Sequence, residues 1–137
     1  MTPVLLDTSC IVALLDRSEE FHEQAAKVVV AIEAPLITCE AVIAESCYLL
    51  RNHKHAAEAV LENVDRGIFV LPFRLSSNVA SVLKLMKKYA SVPMDFADGC
   101  LVDMASEYQT GDILTLDSDF RIYRWGKNRA FNHLLEF

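Results

Sequence analysis

The sequence lacks several features that would indicate other classes of protein. No apolar stretch approaches the roughly 20 residues that a transmembrane helix needs, so we expect no membrane span. No basic segment precedes a long apolar run at the start of the chain, which argues against a secretory signal peptide. Glycine and proline occur only four times each, and no low-complexity tract indicates a linker. We therefore expect a soluble, cytoplasmic protein whose residues 1–137 form a single domain.

The positions of the four cysteines do not suggest a metal cluster. Cys10, Cys39, Cys47 and Cys100 form no C-x-x-C pair, whereas a structural zinc site needs clustered thiolates or imidazoles. Three of the four lie within apolar helical patterns, where a free cysteine usually packs as a small apolar residue. The cysteines therefore predict buried, reduced thiols.

Positive charge is in deficit. The chain has 13 lysines and arginines against 19 acids, which gives a formal net charge of −6. This balance argues against a protein that coats nucleic acid through a general positive field. It is compatible with an enzyme that binds nucleic acid locally, and a cluster of metal-binding carboxylates would itself account for part of the acidic excess.

Short apolar runs alternate with longer segments of helical periodicity, a pattern typical of an α/β fold with a central, mostly parallel sheet flanked by helices. Apolar runs predict strands at residues 4–6, 36–38, 68–71 and 113–116. Helical periodicity predicts helices at residues 9–15, 22–32, 40–50, 56–64, 76–89 and 95–108. Ser76 or Ser77 is predicted to cap the fifth of these helices, and residues 131–137 are either a last strand or a docking segment.

Four acidic residues lie where an α/β fold binds its ligands. Asp7 directly follows the first predicted strand, and Asp117 directly follows the fourth. Asp98 lies in the first turn of the helix that begins near Asp95, and Glu45 lies on the helix after the second strand. Because parallel α/β sheets bind ligands at the carboxyl ends of their strands, we expect the four side chains to converge at one edge.

Convergence of four carboxylates suggests a metal site. Two like charges about 4 Å apart repel by about 4 kcal/mol at an effective dielectric constant near 20, so an acid cluster is destabilising unless it binds cations. Mg²⁺ and Mn²⁺ prefer hard oxygen ligands, and such ions can activate water and neutralise the charge of a phosphodiester during its hydrolysis. The acids therefore predict a site for one or two ions of Mg²⁺ or Mn²⁺.

Each acid also has a simpler interpretation. Asp7 and Asp95 both stand at predicted helix starts, where aspartate is a common N-cap. Asp119 can cap the turn that follows it, and it competes with Asp117 for the role of ligand. Glu45 can be a solvated helical residue, although its neighbours are apolar. Each acid alone is a weak signal, and the ordered set is a much stronger one.

In order along the chain, the segments around these acids resemble the motifs of the PIN domain family. Residues 4–9 (VLLDTS) resemble the family's opening strand with its Asp-Thr/Ser-Ser, and residues 38–45 (TCEAVIAE) its second motif with a helical glutamate. Residues 94–101 (MDFADGCL) resemble the third motif, and residues 114–120 (LTLDSDF) the closing Thr-x-Asp-x-Asp-Phe. Gly99 is a mild departure, because alanine is commoner there.

The resemblance implies a divalent-metal-dependent endoribonuclease that cleaves single-stranded RNA. The residues that match the family's catalytic and metal-binding acids are Asp7, Glu45, Asp98 and Asp117. Positions that match additional acids or polar residues beside the site are Asp95, Asp119, Thr8, Ser9 and Thr115. Many compact members resemble the VapC toxins, so the resemblance also implies a small antitoxin protein and a homodimer as partners.

Other interpretations stay open. A catalytically idle PIN-like module that binds RNA or protein would share this fold, although the full acidic set speaks against it. A phosphoacceptor domain of the receiver type also places an aspartate after a strand, but it needs a lysine after a late strand, where this chain has Asp117. Arg51, Lys54 and Lys84 could position an RNA backbone, or they could be ordinary solvated helix surface.

Overall fold

The computed structural model describes residues 1–137 as an alternation of strands and helices. Five short strands form one sheet in which every pair is parallel, in the order β3-β2-β1-β4-β7. The strands of this sheet are β1 (Val4–Leu6), β2 (Leu36–Ile37), β3 (Phe69–Val70), β4 (Asp112–Leu114) and β7 (Asn132–His133). A separate antiparallel hairpin consists of β5 (Arg124–Trp125) and β6 (Arg129–Ala130).

Six α-helices connect and flank the strands, as the sequence pattern predicts. They are α1 (Thr8–Leu15), α2 (His22–Ala31), α3 (Glu40–Leu49), α4 (Ala56–Asp65), α5 (Val79–Lys88) and α6 (Phe96–Glu107). No helix has both the length and the apolar character needed to cross a membrane. The predicted α/β fold with a central parallel sheet flanked by helices is confirmed.

The structure corrects the predicted start of α5. Its N-cap position is occupied by Asn78, and Leu75–Ser77 form a short 3₁₀ turn ahead of it. Neither Ser76 nor Ser77 therefore caps the helix. The Asn78 side chain instead donates a hydrogen bond of 2.6 Å to the Arg74 carbonyl, which stabilises the preceding turn.

The structure also shortens the fourth predicted strand. β4 ends at Leu114, so Asp117 lies three residues beyond the strand end. The intervening chain is bound by side chains: the Leu116 amide donates to Ser9 Oγ at 2.8 Å and the Asp117 amide donates to Thr115 Oγ1 at 3.0 Å. These bonds replace ladder hydrogen bonds and hold the segment beside the start of α1.

α6 is the central helix of the fold. All its residues from Ala97 to Ala105 are buried. A helix can be buried on every side in this way only when it has no continuous polar face. Gly99 allows α5 to pack closely, since a Cβ at this position would stand 3.3 Å from side-chain atoms of both Val82 and Met86. The departure from alanine at position 99 thus has a packing reason.

Strand order places a crevice between β1 and β4. The chain proceeds from β1 to β2 and β3 on one side and returns to the other side of β1 with β4. Such a reversal opens a crevice at the carboxyl ends of the two strands, where α/β proteins bind ligands. Asp7 and Asp117 follow these two strands and therefore lie at this crevice.

Candidate active site

A cavity of about 170 Å³ lies at the carboxyl ends of β1 and β4. Its lining brings together side chains from the β1–α1 junction, from α3, from the start of α6 and from the segment after β4. The lining residues are Asp7, Thr8, Ser9, Glu45, Leu49, Asp95, Asp98 and Asp117. The structure thus brings together the four principal predicted acids, and we call this space the acidic cavity.

Asp7 is buried, with only 3% of its surface exposed. It occupies the N-cap position of α1, but its side chain makes no capping hydrogen bond. Asp7 Oδ2 instead accepts hydrogen bonds from Thr115 Oγ1 at 2.6 Å and Ser9 Oγ at 3.1 Å. Burial raises the pKa of Asp7 to about 6, although these hydrogen bonds act in the opposite direction.

Asp98 is also buried and carries the most strongly shifted carboxyl of the cavity. Burial raises its pKa to about 8, and the negative charges of Asp7 and Asp95 add to the effect. Tyr123 opposes the shift, because its hydroxyl donates a hydrogen bond of 3.0 Å to Asp98 Oδ2. Asp95 is the N-cap of α6 and accepts from the Asp98 amide at 2.8 Å, in agreement with the capping interpretation.

Asp117 and Asp119 have distinct positions. Asp117 lines the acidic cavity and also caps the 3₁₀ turn Ser118–Arg121, because its Oδ1 accepts from the Asp119 amide at 2.9 Å. The predicted capping role of Asp119 therefore belongs to Asp117. Oxygen atoms of Asp98, Asp117 and Asp119 nevertheless lie within 4.8 Å of one another. Partial burial and the charge of Asp117 raise the pKa of Asp119.

Glu45 reaches the acidic cavity from α3, the one acid supplied by that side. Glu45 is half-buried rather than fully solvated. The helix positions it because α3 packs against both α1 and α6, which carry the other sides of the cavity. Four separate segments of the chain therefore contribute carboxylates, and the start of α6 contributes two, Asp95 and Asp98.

Hydroxyl groups form the floor beside Asp7. Thr115 is fully buried, and its Oγ1 lies 3.3 Å from Ser9 Oγ in addition to its bond to Asp7. Thr8 Oγ1 is buried without any hydrogen-bond partner in the protein. An unpartnered buried hydroxyl costs free energy unless a ligand or water bonds to it. All three predicted polar residues lie at the site.

Sequence reasoning missed Tyr123. The side chain is fully buried, and its ring packs edge-on against Tyr89 and Phe120 with centroid distances of 5.1 Å. A buried tyrosine hydroxyl normally finds a hydrogen-bond partner, but the sequence does not identify that partner as Asp98, 25 positions away. The 3₁₀ turn after Asp117 makes the contact by directing the chain back towards α6.

The donor set of the acidic cavity suits a divalent metal ion. Carboxylate and hydroxyl oxygens are the ligands that Mg²⁺ and Mn²⁺ accept. The raised pKa values of Asp7 and Asp98 show that burial together with neighbouring negative charge disfavours ionisation here. A bound cation would relieve that penalty, and Thr8 Oγ1 supplies a further unpartnered oxygen.

Comparison with known proteins finds chains that are similar in sequence and in fold. Ribonuclease VapC26 of Mycobacterium tuberculosis (strain ATCC 25618 / H37Rv) is 28% identical over 116 residues, which cover 83% of this chain and 86% of that protein. The crystal structure of Mycobacterium tuberculosis VapC20, described as a sarcin-ricin loop cleaving toxin, shares the fold with a TM-score of 0.78 at 15% identity, over 85% of this chain and 91% of that one. The PIN domain family model matches residues 4–126. The chain therefore belongs to the PIN domain family.

Proposed function

We propose that the protein is a divalent-metal-dependent endoribonuclease that cleaves single-stranded RNA, as the toxin component of a VapC-like toxin–antitoxin pair. The observation that carries the proposal is the acidic cavity, where carboxylates from four segments meet and Asp7 and Asp98 are buried. The similarity to a protein named Ribonuclease VapC26 supports the same activity.

The proposed metal ligands are Asp7, Asp98 and Asp117, with Glu45 bound directly or through water. Asp119 is a further candidate ligand, because its carboxylate lies within 4.8 Å of those of Asp98 and Asp117. Mg²⁺ or Mn²⁺ is the proposed ion. When bound, such an ion lowers the pKa of water and neutralises negative charge on the scissile phosphate.

The chain's own residues prepare the site for this chemistry. Thr115 and Ser9 direct their hydroxyls at one oxygen of Asp7, which fixes the orientation of that carboxylate. Tyr123 does the same for Asp98 from within the core. Groups that orient ligands in this way generally tune affinity and activity as well. Hydrogen bonds to a carboxylate also favour its ionised form, which is the form that binds metal.

The proposed partners are a small antitoxin protein and a second copy of the chain. Exposed apolar surface on α4 is available for such contacts, since Leu61 is 56% exposed. The proposed unit of folding is a single domain over residues 1–137. Analytical ultracentrifugation of the purified chain, alone and with the product of an adjacent reading frame, tests both partners.

Activity is tested by incubating the purified protein with single-stranded RNA in the presence of Mn²⁺ and in the presence of EDTA. We expect cleavage with Mn²⁺ only, and its loss in the Asp7→Asn/Asp98→Asn double variant. The matched control is Asp65→Asn, which changes an exposed aspartate at the end of α4. Equal cleavage by the double variant and the wild type would disprove the ligand assignment. RNA binding with no cleavage in any arm would instead support a catalytically idle module.

A further inference from the structure

A second concave surface lies where α1 ends and where the chain leaves α3. It encloses about 660 Å³ and is the largest concavity of the molecule. Its polar lining is mostly basic, and the residues that matter here are Asp16, Arg17, His53, Lys54 and His55. We call it the basic groove.

The basic groove and the acidic cavity lie at opposite ends of α1, and both are lined by residues of α3 or of the chain that follows it. Glu45 and Leu49 line the acidic cavity from successive turns of α3, because residues four positions apart share a helix face. Four positions further on, His53 lines the basic groove, and its Nε2 lies 3.2 Å from Asp16 Oδ2 at the end of α1. α3 with its C-terminal extension therefore connects the two concavities.

The separation suits a nucleic acid strand. α1 has eight residues, which at 1.5 Å per residue gives about 12 Å between its ends. Asp7 stands at one end and Asp16 at the other. At about 3.4 Å per stacked nucleotide, this distance corresponds to roughly three or four nucleotides.

Positive charge is concentrated in this part of the molecule, although the protein as a whole is acidic. Residues 46–57 contain no acid, but they include Arg51, Lys54 and two histidines, and Arg17 adds a further cation to the groove. Asp16, the one acid of the lining, is bound locally by Ser18, whose hydroxyl donates to its Oδ1 at 2.6 Å. Lys84, the third candidate for RNA contact, lies in a different groove with Asp103 and lacks this connection to the acidic cavity.

An exposed aromatic platform lies on α3, next to a residue that lines the acidic cavity. Tyr48 is 62% exposed and Leu49, its neighbour, is 51% exposed at the rim of the acidic cavity. The Arg51 guanidinium lies over the Tyr48 ring, 4.1 Å from its centroid, and donates to the Tyr48 carbonyl at 2.8 Å. Aromatic rings and guanidinium planes are the surfaces on which single-stranded RNA bases stack.

We propose that the basic groove and its aromatic platform bind the stretch of single-stranded RNA that leaves the acidic cavity. A base stacks at Tyr48, and phosphates three to four nucleotides from the scissile bond contact Lys54 and Arg17. The inference rests on the proposed function for the identity of the strand. RNA is favoured over an acidic peptide because the acidic cavity is accompanied by an aromatic surface that can stack a base and by cations that can bind phosphates.

The first test measures RNA affinity by fluorescence anisotropy in EDTA, where no metal-dependent cleavage takes place. The probes are a labelled RNA of roughly 12 nucleotides and a labelled trinucleotide, because only the longer strand spans the distance to the groove. Tyr48→Ala is expected to weaken binding of the long RNA about 5-fold or more. Lys54→Ala is expected to reduce the slope of log K against log salt concentration by about 0.7, the loss of one phosphate contact.

Matched controls are Lys87→Ala, an exposed lysine on α5, and Leu61→Ala, an exposed apolar residue on α4. The inference would be overturned if Tyr48→Ala and Lys54→Ala bind the long RNA with the same affinity as these control variants. An equal loss of trinucleotide affinity in Lys54→Ala would also overturn it, because that contact would then lie within reach of the acidic cavity. Unchanged RNA affinity with a changed sedimentation mass would assign the platform to a protein interface and overturn it as well.

Cleavage in Mn²⁺ separates this inference from the proposed function. If the wild type cleaves RNA and Tyr48→Ala has a raised KM for long RNA, the result supports both the proposed function and the groove inference. If the wild type cleaves RNA but the groove variants have the same RNA affinity as their controls, the groove inference fails and the proposed function stands. Groove-dependent binding without cleavage by the wild type removes the proposed function and leaves the groove as an RNA site.

Discussion

Replacement of Asp98 by asparagine is expected to stabilise the metal-free protein, increasingly so as the pH rises. Burial and the charges of Asp7 and Asp95 raise the pKa of Asp98 from 3.8 to about 8. The folded protein therefore holds this proton more tightly than the unfolded chain does. Between the two pKa values unfolding releases a proton, so the free energy of unfolding falls as the pH rises. Asparagine has no proton to release.

The magnitude follows from the two pKa values. One pKa unit corresponds to about 1.4 kcal/mol, so the change from 3.8 to about 8 sets a ceiling of roughly 6 kcal/mol at pH 8 and above. Because the buried asparagine amide must itself be desolvated and the ceiling neglects solvent screening, we expect about 2–3 kcal/mol to be recovered. For a domain of this size that corresponds to a rise in Tm of roughly 5–15 °C.

The assay is thermal unfolding in EDTA at several pH values from about 4 to about 9. The Tm difference between Asp98→Asn and wild type is expected to be small at the lowest pH and to grow towards pH 8. Tyr123 can still donate to the amide oxygen, so the packing around it should be retained. Asp65→Asn is the control, because that aspartate is exposed. A variant less stable than wild type at pH 8, or a difference independent of pH, would refute the reasoning.

Three further predictions concern the site and its support. Mn²⁺ at about 100 times its Kd should raise the free energy of unfolding of the wild type by about 2.7 kcal/mol, seen as a higher Tm at pH 8, and an unchanged Tm would contradict a metal site. Thr115→Val removes a hydrogen bond that lowers the pKa of Asp7. The acid limb of the pH–rate profile should therefore move to higher pH. An unmoved acid limb would show that ionisation of Asp7 does not limit activity. Gly111→Ala would place a Cβ against the Trp125 indole and should cost about 1–3 kcal/mol in urea unfolding, whereas wild-type stability would mean that the indole can move aside.

Much of the fold could be predicted from the sequence because its signals are local. Short apolar runs bounded by polar residues correspond to β1 and β2, and helical periodicity correctly located all six helices. The boundaries were less accurate where side chains compete with the backbone. β4 ends early because Ser9 and Thr115 bind the amides that would have extended it.

The principal acids of the candidate site could also be predicted, because strand ends in a parallel sheet face the same edge. The sequence could not assign their roles. Asp117 caps a turn that was attributed to Asp119, and Asp7 occupies an N-cap position without capping. Such distinctions depend on side-chain directions, which residue type and spacing leave undetermined.

The sequence by itself determined the order of the first four strands and the six helices, the family and four acids that line the acidic cavity, since period, composition and motif are properties of neighbouring residues. Only the tertiary structure decided that Tyr123 bonds to Asp98, that Thr115 bonds to Asp7 across 108 positions, and that the basic groove and the acidic cavity lie at the two ends of α1. The physical reason is that burial and electrostatic repulsion depend on all the atoms around a group, wherever in the chain they come from. The raised pKa values of Asp7 and Asp98 are therefore properties of the folded cavity.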